Sequence, residues 1–310
     1  MRKLQGSFPQ PMRIQARPGS QAERVYFDKS ALPGRTFPAP KALAPGIDPA
    51  PLADLIFHGG KTVPQMEFQN IYLGSAHDWK ASDTQLIDAA ITRAMQDKRL
   101  NNVMSQYFPG ASLSCDPRPS LKLAEARPAE LGEPQVQAKV IQLFDAGKIA
   151  KRDLGTTIFN LILPAGTILR LDGSTSLRGL GGYHGSVHIK RGGKSITLYY
   201  SANVYSQRLS AARQNGIAVW KQSWKNVVAT LYHELNEFRT DADVNDAIIH
   251  QENDFLGWTS RDGLECGDQP ISEADPLTEV FKLVGAKKTP VQFMFSNAVH
   301  GAEGPIAKAH

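Results

Sequence analysis

The stretch WKQSWKNVVATLYHELNEFRTD, residues 220–241, decides the fold class of this chain of 310 residues. Its large apolar residues recur every three or four positions from Trp220 to Phe238, which is the period of an amphipathic helix. The spacing predicts one long helix whose apolar stripe packs on the core. His233 and Glu237 lie four positions apart on the other side of that helix, so their side chains share one face.

The same helix carries the pattern His-Glu-x-x-Glu at positions 233–237. An imidazole and a carboxylate one helical turn apart can bind one metal ion. Glu234 holds the position at which zinc peptidases of the His-Glu-x-x-His type carry their general base. The pattern therefore predicts a metal-dependent hydrolase in which His233 and Glu237 bind zinc and Glu234 activates water. The alternative interpretation is a solvated helix face with no chemistry.

A catalytic zinc needs a third protein ligand. Asp243 lies ten residues after His233, the spacing of the third ligand in metzincins, but Thr240 occupies the position where that class needs a glycine. We therefore expect Glu265 or Asp268, in an acidic loop further along the chain, to complete the site. So many carboxylates leave calcium as an alternative ion, while a histidine ligand favours zinc.

The segment LGGYHG at 180–185 is rich in glycine and is predicted to form a loop, followed by strands at 187–189 and 196–204. His184 lies among these glycines, which allow a close approach of the chain. We expect His184 to contribute to catalysis by stabilising an oxyanion, or to act as a metal ligand. His188 would share its strand face, but an ordinary strand histidine is the simpler interpretation.

Composition limits the partners of this protein. The net charge is +5 and the positive residues are scattered, which does not favour nucleic-acid binding. No apolar run approaches the roughly 18 residues that predict a membrane span. The N-terminus shows no visible secretory signal. The chain is therefore expected either to be cytoplasmic, at least before export, or to have reached the outside by removal of a signal or by another route.

The distribution of proline divides the chain in two. Residues 1–51 hold 9 of the 20 prolines, which predicts an extended arm. Residues 52–310 are expected to form a single α/β domain with a mixed sheet and a zincin-like active-site helix. Its clearest strands are predicted at 66–73 and 156–163, its other helices at 82–94, 101–107 and 136–146, and a loop or insertion at 116–134.

Two cysteines, Cys115 and Cys266, allow one disulfide or two free thiols. A cysteine nucleophile at Cys266 is less favoured, because no histidine lies near it in the sequence. The count and spacing of the cysteines also exclude a Cys-x-x-Cys metal or redox motif.

The ordered motifs of residues 55–300 resemble the Exordium/phosphate-induced-protein family and its bacterial relatives. The motifs are HGGKTV at 58–63, IYLGS at 71–75, GYHG at 182–185, HELNE at 233–237, GW at 257–258 and GLECGD at 263–268. Bacterial members look like secreted proteins with a pattern suggestive of a metallopeptidase. Plant members are known as cell-wall growth proteins with no assigned catalysis. The resemblance thus implies an extracellular protein that acts on a peptide or protein substrate.

This chain departs from the bacterial pattern at three places. Ala242 replaces a proline, Leu264-Glu265-Cys266 replaces Gly-Glu-Ile, and no cysteine precedes Gly182. Two alternatives to the hydrolase therefore stay open. One is a non-catalytic extracellular protein that holds a structural metal and binds a cell-wall polymer or a protein. The other is a secreted effector or toxin whose proline-rich arm docks with a delivery machinery.

Overall fold

The computed structural model describes residues 43–210, 213–274 and 276–310 of the chain. In this part the protein is mixed α/β, with helices and several sheets, which confirms the α/β class predicted from the sequence. The helices are α1 Ala81–Gln96, α2 Lys98–Asn101, α3 Glu133–Asp145, α4 Ser223–Thr240, α5 Val244–His250 and α6 Asp268–Glu273. Short 3-10 helices lie at Pro51–Ala53, Ala76–Asp78, Asn102–Tyr107, Ser176–Arg178, Asn253–Phe255 and Leu277–Val280. Within the described residues, no helix is both long enough and apolar enough to cross a membrane.

The strands of the described residues are β1 Ile56–Phe57, β2 Gln65–Tyr72, β3 Ser114–Pro117, β4 Leu121–Lys122, β5 Glu130–Leu131, β6 Thr157–Ile162, β7 Ile168–Leu171, β8 Ser174–Thr175, β9 Gly182–Arg191, β10 Lys194–Asn203, β11 Gln207–Arg208, β12 Gln214–Asn215, β13 Trp258–Thr259, β14 Phe281–Val284, β15 Thr289–Gln292, β16 Met294–Ser296 and β17 Gly301–Glu303. The main sheet has the strand order β3-β2-β6-β10-β9, and β4 also pairs with β2. All of β6 is buried, because it runs parallel between β2 and β10. Its nearly continuous apolar run is typical of a strand covered on both faces.

Helices cover both faces of this sheet. Ile158 and Tyr199 belong to one core with the apolar residues of α1 and α4. Their neighbours Phe159 and Tyr200 belong to a second core with α3. Because successive side chains of a strand point to opposite faces, the sheet separates the two cores and fixes α4 against one of them.

Helix α4 is covered on all sides. It packs against α1, β9 and β15, and every residue from Trp224 to Thr240 is buried. The stripe of apolar residues predicted the helix correctly. The alternative of a solvated polar face is wrong, because β9 and β15 cover that face.

Two segments differ from the sequence prediction. The predicted glycine loop at 180–185 lies largely in β9, which pairs with β10 along its whole length. Its glycines serve close packing instead of a turn, since a Cβ on Gly182 would lie 2.6 Å from Thr230 Cγ2. The predicted loop at 116–134 contributes β4 and β5, two-residue strands that the proline-rich sequence did not indicate.

The last part of the predicted arm is packed. Leu43, Ala44 and Ile47 are buried, and the Ala44 N–H donates to the Ala302 carbonyl at 2.8 Å. Leu52, where the compact part was expected to begin, is 91% exposed. Residues 43–51 therefore pack with the residues that follow them. Residues 1–42 of the predicted arm lie outside the described residues, and the arm stays a prediction there.

The two cysteines of the chain are both described, and they do not form a disulfide with each other. Cys115 and Cys266 are buried free thiols. Burial raises the pKa of Cys115 to about 12 and raises that of Cys266 well above its usual value. Because the thiolate is the reactive form, neither cysteine is suited to act as a nucleophile.

Gly257 packs closely against the end of α4, and a substitution there tests this packing. Its N–H donates to Asp241 Oδ1 at 2.8 Å, and a Cβ would lie 1.9 Å from the Thr240 carbonyl oxygen. We expect Gly257→Ala to lower the free energy of unfolding by at least about 2 kcal/mol through overpacking. Gly155→Ala is the control, because among the described residues its Cβ would have only Lys61 Nζ nearby, at 3.6 Å. Thermal unfolding measures both, and equal melting temperatures would contradict this packing.

Candidate metal centre

The C-terminal half of α4 contributes three possible metal-binding side chains to a buried cluster. His233, Glu234 and Glu237 are fully buried. They meet His184 from β9 and Asp268 at the start of α6. The possible ligand atoms form two groups, His233–Glu237–Asp268 and His184–Glu234–Glu237, and within each group these atoms lie within 4.8 Å of one another.

The first group is the tighter one. His233 Nε2 lies 3.0 Å from Glu237 Oε2 and 3.4 Å from Asp268 Oδ1. Neighbouring ligand atoms of a tetrahedral zinc ion are about 3.3 Å apart, given metal–ligand distances of about 2.0–2.1 Å. Glu237 Oε1 accepts the N–H groups of Gly267 at 3.2 Å and Asp268 at 3.0 Å. The other oxygen of Glu237 is thereby directed at the histidine.

The second group joins β9 to α4. His184 Nδ1 lies 3.4 Å from Glu234 Oε2 and 4.0 Å from Glu237 Oε2. Its Nε2 lies 3.1 Å from the carbonyl oxygen of Asp241, an acceptor, so Nε2 carries the proton. Burial lowers the pKa of His184 to about 4, which keeps the ring neutral. A neutral His184 therefore directs the lone pair of Nδ1 at the carboxyl group of Glu234.

Several atoms of this cluster are buried with no hydrogen-bond partner among the described residues. They are His184 Nδ1, His233 Nε2, both carboxyl oxygens of Glu234 and Glu237 Oε2. Buried polar atoms are bonded in the large majority of cases. Five such atoms, two imidazole nitrogens and three carboxylate oxygens, lie in one buried cluster, and both kinds of atom can bind a cation.

The pKa values of the cluster are also those of a site that a cation would stabilise. Burial raises the pKa of Glu234 well above its usual value and that of Glu237 to about 7. Burial alone would lower the pKa of His233, but Glu237 and Asp268 outweigh it and raise that pKa. The fold thus concentrates carboxyl groups where their charged forms are poorly solvated. A divalent cation would compensate those charges.

The acidic residues considered as a third ligand from the sequence lie in different positions relative to the two groups. Asp268 lies in the first group and is 12% exposed. Glu265 is buried close by but belongs to neither group, and burial raises its pKa well above the usual value. Asp243 accepts a hydrogen bond from the Tyr199 hydroxyl at 2.6 Å and is also outside both groups. Of these three acidic residues, Asp268 is the one that groups with His233 and Glu237.

One contact of the site was not predicted. Gln292, at the end of β15, has its Oε1 3.0 Å from His233 Nδ1. An uncharged residue 59 positions after the histidine gives no sequence signal. Gly267 also matters, because a Cβ there would lie 2.6 Å from His233 Nδ1.

No protein-family model and no curated protein matches this chain. The resemblance to the Exordium family therefore stays a prediction based on its motifs. The function has to be argued from the geometry and chemistry of the site.

Proposed function

We propose that this protein is a zinc-dependent hydrolase of peptide or protein substrates. The observation that carries the proposal is the convergence of His233 Nε2, Glu237 Oε2 and Asp268 Oδ1 beside a Glu234 carboxyl group with both oxygens unbonded among the described residues. In this proposal α4 is a zincin-like helix. His233 and Glu237 hold the ion from successive turns, and Glu234 lies between them in sequence.

The donor set fits zinc better than calcium. Zinc takes about four ligands and accepts both imidazole nitrogen and carboxylate oxygen. Calcium takes about six to eight oxygen ligands. The cluster offers two histidine nitrogens, and one carboxylate oxygen of Glu237 is already used by backbone N–H groups. The oxygen count is too low for a calcium site made by these residues.

The protein groups divide the proton chemistry between them. Zinc, when bound, polarises a carbonyl group and makes water more acidic. Glu234 accepts a proton from the attacking water and passes it to the leaving amine. Burial raises the pKa of Glu234, which is the direction a general base near neutral pH requires. His184 Nδ1, 3.4 Å from Glu234 Oε2, accepts a hydrogen bond from the protonated carboxyl group.

This role for His184 replaces the oxyanion role expected from the sequence. An oxyanion needs a donor, whereas the neutral His184 ring already uses its only N–H on the Asp241 carbonyl. His184 therefore serves as a positioning residue for Glu234.

A second candidate function follows from the burial of the site. His233 and Glu237 are fully buried. The Asp268 side chain is 12% exposed and is the most exposed member of their group. Structural zinc sites are closed, whereas catalytic sites keep an open position. On this alternative the ion stabilises a non-catalytic binding protein. A hydrolase requires the Asp268 side of the site to open for its substrate.

The test is the metal content of the purified protein by elemental mass spectrometry. We expect about one zinc ion per chain in the wild type and none in His233→Ala, because that change removes a ligand. His188→Ala is the control, since this partly exposed histidine pairs instead with Asp246 Oδ1 at 2.6 Å. Bound calcium, or zinc retained in His233→Ala, would refute the proposal.

A further inference from the structure

We propose that Gln292 is a positioning residue that sets the proton of His233 and ties this histidine to the loop carrying Asp268. This inference rests on the proposed function, because part of its effect is read as zinc affinity. Gln292 is 2% exposed and lies in β15, the strand that covers the polar side of α4.

The orientation of the Gln292 amide follows from its partners. Its Nε2 donates to the Gly267 carbonyl oxygen at 2.6 Å. A carbonyl oxygen only accepts hydrogen bonds, so the amide nitrogen has to face it. The amide oxygen then faces His233 Nδ1 at 3.0 Å and requires a proton there.

The consequence for His233 concerns its other nitrogen. A neutral imidazole carries one proton. A cation held between Nε2, Glu237 Oε2 at 3.0 Å and Asp268 Oδ1 at 3.4 Å would use the Nε2 lone pair, so the one proton of the ring would have to stay on Nδ1. The opposite tautomer would direct an N–H at the metal site and prevent binding. Gln292 thus selects the tautomer that can bind a cation, as partners of metal-binding histidines commonly do.

Gln292 also fixes the distance between the helix and the acidic loop. Gly267 makes two hydrogen bonds. Its N–H donates to Glu237 Oε1 at 3.2 Å, and its carbonyl oxygen accepts from Gln292 Nε2. Asp268 follows directly in the chain, and its N–H also bonds to Glu237 Oε1 at 3.0 Å. The Gln292 side chain therefore fixes the position of Asp268 relative to His233.

Zinc affinity is the first measurement, by competition with a chelator of known affinity. We expect Gln292→Leu to bind zinc about 10–100-fold more weakly than the wild type. Gln292→Glu keeps the acceptor for His233 and loses the donor to Gly267, so its affinity should be intermediate. Val291→Ala is the control, because it removes buried packing one position earlier on β15. It should lower thermal stability and leave zinc affinity unchanged.

The second measurement does not depend on metal. Histidine-selective ¹⁵N labelling of chelator-treated protein should show a slowly exchanging His233 Nδ1–H proton, assigned by its loss in His233→Asn. The resonance should disappear or exchange faster in Gln292→Leu. An unprotected proton in the wild type, an unchanged one in Gln292→Leu, or equal zinc affinities would overturn the inference. If the wild type binds no zinc, the proposed function fails, and the role of Gln292 toward His233 is decided by this resonance alone.

Discussion

Glu234→Gln is expected to keep zinc bound and to reduce the rate of peptide hydrolysis by about 10²–10⁴-fold, the usual contribution of a general base. Glutamine preserves the size and shape of the side chain but cannot take up a proton. Zinc should stay, because Glu234 does not belong to the group formed by His233, Glu237 and Asp268.

The measurement pairs two readouts on one preparation. Peptide cleavage is followed by mass spectrometry with a mixture of unrelated peptides, and zinc content is determined on the same sample. The effect should fall on kcat with little change in KM, because the lost interaction acts in the transition state. His188→Ala is a control on the same strand as His184, with its side chain 48% exposed.

Each other outcome has a defined meaning. Full activity in Glu234→Gln would remove the role of Glu234 as a base. Loss of zinc would make Glu234 a ligand, as its place in the group with His184 allows. A wild type that binds zinc and cleaves no peptide would favour the structural metal site suggested by the burial of His233 and Glu237.

The sequence predicted the helix of the site because its signal is local. The apolar stripe of residues 220–238 requires only the period of a helix, and α4 Ser223–Thr240 follows it closely. The strand at 156–163 was equally accessible, since its run of apolar and β-branched residues is short and continuous, and it became β6 Thr157–Ile162. Both predictions depended on neighbours within a few residues.

The elements that surround α4 could not be predicted from the local sequence. Whether the polar side of α4 meets solvent, a cleft or another element depends on strands far away in sequence. In the structure β9 and β15 close over it. The glycine neighbours of His184 predict a loop there, whereas His184 lies in β9. Gln292 gave no signal, because an amide in a strand has neither charge nor periodicity to mark it.

The choice between Glu265 and Asp268 shows the same limit. Three positions separate them, and spacing alone treats both as ligands. The difference arises where α6 begins, because the N–H groups of Gly267 and Asp268 bond to Glu237 Oε1. There Asp268 Oδ1 lies 3.4 Å from His233 Nε2, whereas Glu265 lies outside the group.

Zinc is expected to stabilise the wild type and Glu265→Gln strongly, and Asp268→Asn weakly. A ligand at about 1,000 times its Kd stabilises the folded state by about 4 kcal/mol. For a domain of this size class that corresponds to a rise in Tm of roughly 10 °C. If Asp268→Asn weakens binding about 100-fold, the same zinc concentration is only about 10 times Kd and adds about 1.4 kcal/mol. Thermal unfolding of chelator-treated protein, with and without zinc, measures the difference.

Glu265→Gln is the matched control because the two changes have the same chemistry and opposite expectations. Burial raises the pKa of Glu265 well above its usual value, which favours the uncharged form of its carboxyl group. A neutral amide of equal size therefore changes little there. Asp268 is partly exposed and directs Oδ1 at His233 Nε2 from 3.4 Å, so an amide removes a charge that the cation needs. If zinc stabilised Asp268→Asn fully and Glu265→Gln weakly, Glu265 would be the third ligand, and the acidic loop would have to turn its other carboxylate toward the ion.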